Sequence, residues 1–139
     1  MEKALISVYA ADKHGVSKLE YQLYHALIFY LAKVKEFKFP GYSFAAFSWD
    51  PYGSTLISRK LAADTGILCA KGLLRANSPA ISISQRGRET ASAMIPLLEE
   101  DEGKPYEEFR QAIEDALDLA KETPTNFLRT CYSAYIREL

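Results

Sequence analysis

The stretch from Trp49 to Arg88 constrains the fold more than any other part of the chain. Asp50-Pro51-Tyr52-Gly53 reads as a turn. Ser54 or Thr55 can then cap a helix in which Leu56, Ile57, Leu61, Ala62 and Leu68 fall at helical intervals. Gly72 stops that helix, because glycine takes the left-handed conformation without a Cβ clash. Leu73 to Ala76 and Ala80 to Ser84 follow as two short strands around Asn77-Ser78-Pro79. Ile81 and Ile83 alternate with Ser82 and Ser84, as in a half-buried strand. Ser84 can cap the next helix. A short helical region, a hairpin and a new helix start thus succeed one another.

Upstream, residues 2–11 are apolar enough to pack, as helix or as strand. His14-Gly15 is a break. Ser17-x-x-Glu20 reads as a capping box, followed by Leu19, Leu23, Ala26, Leu27, Tyr30, Leu31 and Val34 at helical spacing. A helix is predicted over 18–36; Tyr21, Tyr24 and Phe29 widen its apolar face and make it the central helix of the core. Pro40-Gly41 forces a turn, and Tyr42 to Trp49, with Phe44 and Phe47, reads as a strand. Downstream, helices are predicted from Gln85 to Glu100, kinked by Pro96, from Tyr106 to Lys121 and from Asn126 to Leu139. Gly103-Lys104-Pro105 and Thr123-Pro124 separate them. In the last helix Phe127, Leu128, Cys131, Tyr132, Tyr135 and Ile136 form an aromatic face, folded onto the core or lent to a partner.

With 139 residues the chain suits a single domain, 1–139. A chain of this length buries enough surface to fold without disulfides or metal. Its longest apolar run, Ala26 to Ala32, is far short of the ~20 residues that span a bilayer. Glu2 and Asp12-Lys13 spoil a signal peptide, so the expected location is cytoplasmic. Cys69 and Cys131 form no CxxC pair and are expected reduced. Net charge is −1, but residues 1–88 carry +6 and residues 89–139 carry −7. A basic part attracts polyanions; an acidic helical tail opposes that attraction, shields it or binds something basic.

The string Gly72-Leu73-Leu74 … Ile81-Ser82-Ile83-Ser84-Gln85-Arg86-Gly87 resembles the wing of prokaryotic winged-helix proteins, including the apolar–Ser–x–x–Gly tag that opens the next helix. Asp50-Pro51-Tyr52-Gly53-Ser54 is similar to a Tyr–Gly–Pro–Tyr–Ser box before the corresponding helix, with the Pro–Tyr before the serine missing. Leu61-Ala62-x-x-x-Gly66-Ile67 looks like the first helix and turn of a helix-turn-helix; alternatively, 55–71 is one helix that contains Gly66 at a cost of about 1 kcal/mol relative to Ala. The resemblance covers 17–88, with 89–139 as a C-terminal helical extension. It implies a mainly α fold with a small β-hairpin wing (α+β), double-stranded DNA as partner, a role in transcription regulation and a homodimer through the C-terminal helices.

Catalytic signatures are missing: the chain has no phosphate loop, no HExxH and no zinc-ligand spacing. No cofactor or metal is expected, and the chain does not read as an enzyme. His14 or His25 could act as a base, but His25 lies among core positions and reads as a hydrogen-bonded helix residue. Glu99-Glu100-Asp101-Glu102 reads as a solvated helix end rather than a cation site. For DNA the candidates are Ser54, Thr55, Ser58, Arg59 and Lys60 early in the 55–71 helix, Lys71 and Arg75 beyond its end, and Asn77, Arg86 and Arg88 around the hairpin. Cations would neutralise phosphates, hydroxyls and helix amides would add hydrogen bonds, and Asn77 could enter a minor groove. The alternative is an adaptor that binds protein through its acidic face and the Phe127–Ile136 surface, without nucleic acid.

Overall fold

The computed structural model describes residues 1–37, 42–44, 46–53, 55–77, 79–99 and 105–139. The protein is mainly helical, with two small antiparallel sheets, an α+β architecture. In chain order it consists of α1 (Glu2–Lys13), β1 (Leu19–Glu20), α2 (Tyr21–Phe29), β2 (Asp50–Tyr52), β3 (Thr55–Ile57), α3 (Arg59–Ala70), β4 (Leu74–Asn77), β5 (Ala80–Ile83), α4 (Gln85–Leu98), α5 (Pro105–Glu122) and α6 (Pro124–Arg137). Among the described residues no helix is long and apolar enough to cross a membrane.

The first apolar segment is a helix, α1, which buries Ala4, Leu5, Ile6, Val8, Ala10 and Ala11. The helix expected from residue 18 starts later. Leu19 and Glu20 are extended and pair with Ile81 and Ala80. The Ser17–Glu20 capping box does not form: Glu20 holds the N-cap position of α2 and no side chain caps that helix. Strand pairing takes Glu20, one of the two residues the box needs, and moves the helix start past it. Past Phe29 the helix widens into a π turn, Tyr30–Val34, with Lys35 N–H donating to Tyr30 O at 2.9 Å.

Tyr42, Phe44, Phe47 and Trp49 are all buried, but the described part of 42–49 is not a strand. The spacing explains this. Residues 42 and 44 share one parity and 47 and 49 the other, so a strand with a single buried face cannot bury all four. An irregular path lets each ring find its own slot: Tyr42 stacks on Phe109 at 4.7 Å, and Trp49 meets Phe29 edge-on at 5.3 Å. The turn expected at 50–53 is itself largely strand. β2 pairs with β3, with Pro51 opposite Leu56. This corrects the helix start: Leu56 is a strand residue, and α3 begins at Arg59 after the N-cap Ser58. The Pro40-Gly41 turn and the residues 100–104, including most of the Glu99–Glu102 run, lie outside the described residues.

Downstream the expectations fare better. Gly72 ends α3 with a φ of 74°, in the left-handed region. α3 is one helix with Gly66 inside it, not two helices about a turn. β4 and β5 form the expected hairpin, and the second sheet edge is β1, giving the order β1-β5-β4. Leu19, Leu74, Ile81 and Ile83 face the core. α4, α5 and α6 follow; Pro96 sits near the end of α4. α5 buries Phe109, Ile113, Ala116, Leu117 and Ala120, and α6 buries Phe127, Cys131 and Ala134.

Candidate nucleic-acid interface

The surface of interest is built on a locked seam where α3 ends, the β4–β5 hairpin closes and α4 begins. The Ser84 hydroxyl donates to Gly72 O at 2.6 Å and accepts from Gly87 N–H at 3.0 Å, while Ser84 N–H donates to Leu73 O at 3.1 Å. Gly87 leaves no room for a side chain. A Cβ there would lie 2.0 Å from Leu73 O and 2.7 Å from Ile83 Cγ1. The Ser–x–x–Gly tag is therefore a helix cap and a close-approach glycine acting at one point.

The start of α3 is held from behind by α2. Ser58 N–H donates to His25 Nδ1 at 3.1 Å, and Ser58 Oγ accepts from Leu61 N–H at 3.3 Å. One turn on, Thr65 Oγ1 donates to Leu61 O at 2.7 Å, so Tyr24 OH must donate in its 2.9 Å bond to Thr65 Oγ1. Tyr24, His25, Ser58 and Thr65 are all buried. Burial pushes the Tyr24 hydroxyl well above its ordinary range and lowers His25 to about 4. Neutral His25 with Nδ1 accepting carries its proton on Nε2, which has no hydrogen-bond partner among the described residues. Tyr21 and Tyr24 rings flank the imidazole at 5.2 and 5.6 Å. His25 thus positions Ser58 and is closed to solvent, which removes it as a general base for an external substrate. His14 is elsewhere, with Nε2 2.8 Å from Asp118 Oδ1.

Of the ten nominated residues, Ser54 lies outside the described residues. Thr55 and Ser58 are corrections: both are buried, with the Thr55 hydroxyl donating to Tyr52 O at 2.8 Å and Ser58 acting as the cap. Their hydroxyls are committed to ending a hairpin and starting a helix. Arg88 is also engaged, with Nε and Nη2 at 2.9 and 3.3 Å from the two Asp12 carboxylate oxygens. Lys60 folds back along α3, 3.4 Å from Asp64 and 5.6 Å from the centre of the Phe47 ring. Arg59 is 89% exposed and only loosely opposed by Asp50 at 3.8 Å. Lys71, Arg75, Asn77 and Arg86 are exposed, and the three cations among them form no ion pair with the described residues.

These three cations gather at the seam. Lys71 adjoins Gly72, whose carbonyl accepts from Ser84; Arg86 lies in the first turn after Ser84; Arg75 is opposite Ser82 in the hairpin, on the sheet face away from buried Leu74 and Ile83. Residues 55–88 hold six Lys or Arg against a single acid, Asp64. Glu20, opposite Ala80 on the outer strand, brings one carboxylate to the edge of this face. It borders an open cleft of about 500 Å³ that Tyr21, Gln22, Ala76 and Pro79 also line.

The outward face of α3 went unnoticed in the sequence. Its exposed residues past Lys60 are Ala62, Ala63, Gly66, Ile67 and Ala70, with Ile67 46% exposed. The inward face holds Leu61, Asp64, Thr65 and Leu68. Apolar periodicity points the wrong way here, because two polar residues are buried and the outward residues are small and apolar. The aromatic face of α6 is likewise decided by packing. Phe127 meets Tyr30 at 5.1 Å, and Cys131 Sγ lies 3.6 Å from Ala26 O. Phe127 and Cys131 are thus spent on the core, while Leu128, Tyr132 and Tyr135 are half-buried and Ile136 is 54% exposed. Comparison with family models, curated proteins and solved structures found no match to this chain.

Proposed function

We propose that the chain is a winged-helix protein that binds duplex DNA, with α3 and the β4–β5 hairpin as the contact surface and a role in transcription regulation. The topology supports the fold reading. Its order α1-β1-α2-α3-β4-β5, with β1 bonded to β5, is compatible with a winged helix that carries an extra β2–β3 hairpin before α3. The single observation that carries the binding reading is the excess of exposed cations at the seam, Lys71, Arg75 and Arg86, which form no ion pair among the described residues, on a segment with one acid. With Arg59 at the other end of α3, positive charge brackets a neutral helix. Arg59 and Lys71 are about 18 Å apart along that axis, on the scale of a major groove about 12 Å wide. Cations so placed reach the phosphates on both sides of a groove.

Fluorescence anisotropy with a labelled duplex across a salt series tests this. Binding should weaken linearly on a log–log plot, and Lys71→Gln, Arg75→Gln and Arg86→Gln together should reduce the slope by about 0.9 per lost phosphate contact. No binding to any duplex at low salt overturns the proposal. The second reading, a protein-interaction adaptor, draws support from the same α3 face, whose apolar centre and charged rim are what a protein interface presents.

A further inference from the structure

Resting on the duplex-binding reading above, we propose that α3 recognises methyl groups in the major groove, thymine or 5-methylcytosine, and is otherwise indifferent to base sequence. Sequence is read in the major groove chiefly by side chains that donate or accept hydrogen bonds at base edges. From Ala62 to Ala70 the exposed side of α3 has no such group: it offers Ala62, Ala63, Gly66, Ile67 and Ala70. The helix amides are bonded within the helix, so the backbone offers none either. What this surface can do is exclude water from another apolar group. The 5-methyl of a pyrimidine is the only apolar group a base pair presents in that groove. Ile67, 46% exposed in the C-terminal half of the helix, is the largest side chain available to cover it, and the small residues around it let the helix approach closely.

Charge selects the occupant. A second copy of this chain laid on α3 would bring Arg59 or Lys60 against the other copy's like charges or Lys71, whereas a duplex presents phosphates to both ends. The cations set register and affinity, and the apolar stripe sets preference.

Four matched duplexes separate the possibilities by anisotropy at fixed salt: one with thymine, one with uracil in its place, and a G·C duplex with cytosine and the same duplex with 5-methylcytosine. Each methyl taken out of water is worth about fourfold in affinity. The thymine duplex should therefore bind at least about fourfold tighter than the uracil duplex, and methylation of cytosine should tighten binding by a similar factor. Ile67→Ser should abolish both differences while leaving the salt slope unchanged. Duplexes that bind equally with and without methyls overturn this inference and leave the duplex-binding reading standing. Equal binding of the thymine and uracil duplexes, both tighter than the G·C duplex, also overturns it, since that would be a reading of A·T shape. Failure to bind any duplex at low salt overturns both.

Discussion

His25 shows how one side chain ties stability to pH. It is 1% exposed, accepts from Ser58 N–H and has its value lowered by burial from 6.5 to about 4. In the unfolded chain it takes up a proton near pH 6.5; in the fold it resists until about pH 4. The unfolded state therefore binds more protons in that window, and stability falls as pH falls through it. The contribution is fully present above about pH 6.5 and amounts to on the order of 3 kcal/mol. His25→Gln keeps an acceptor for Ser58 and removes the titration. Urea denaturation from pH 7 to pH 4 should show wild type losing up to one proton's worth of slope more than the variant. Parallel curves would mean that His25 is solvated.

At the scale of elements, the seam between hairpin and α4 is the best-defined joint. Gly87 permits the approach to Leu73 O, and a Cβ would need backbone to move. Gly87→Ala should destabilise by about 1–3 kcal/mol despite its better helix propensity, because overpacking against backbone outweighs the propensity gain. A lower urea midpoint with unchanged m-value would show it; an unchanged or raised midpoint would mean that the seam is loose. This joint was legible beforehand, since a cap, a glycine and an alternating strand are all local signals. β1 was not. Two residues have no periodicity of their own, and Leu19 and Glu20 are extended because Ile81 and Ala80 pair with them. The β2–β3 hairpin was missed for a related reason: Asp-Pro-Tyr-Gly reads as a turn wherever it stands, and only pairing with Thr55–Ile57 makes it a strand.

For the whole molecule the sharpest feature is how charge is distributed after folding. The +6 and −7 parts are not simply two surfaces. Asp12 of α1 neutralises Arg88, Asp64 neutralises Lys60, and on the acidic side Arg110 bridges Glu107 and Glu114 at 2.9 and 2.6 Å. Among the described residues the seam keeps Lys71, Arg75 and Arg86 without an ion pair, with Arg59, loosely opposed by Asp50, at a distance. Asp12→Asn releases Arg88 beside that patch. In the anisotropy series it should tighten duplex binding and steepen the salt slope by about one contact. No change in slope would place Arg88 beyond reach of the phosphates.

The sequence by itself determined the parts whose causes are local: α3 stopping at Gly72, the Leu74–Ile83 hairpin, the Ser84 cap, and the amphipathic α5 and α6. It also determined the concentration of cations between Arg59 and Arg88. Tertiary structure alone decided which side chains face outward. It buried Thr55, Ser58, Asp64 and Thr65, turned Ala62 and Ile67 to solvent, and closed Phe127 and Cys131 against α2 and its π turn. The physical reason is that a side chain's burial depends on partners distant in the chain, and a hydroxyl or carboxylate can be buried once those partners satisfy it. No local pattern records where His25 or Tyr24 will meet α3.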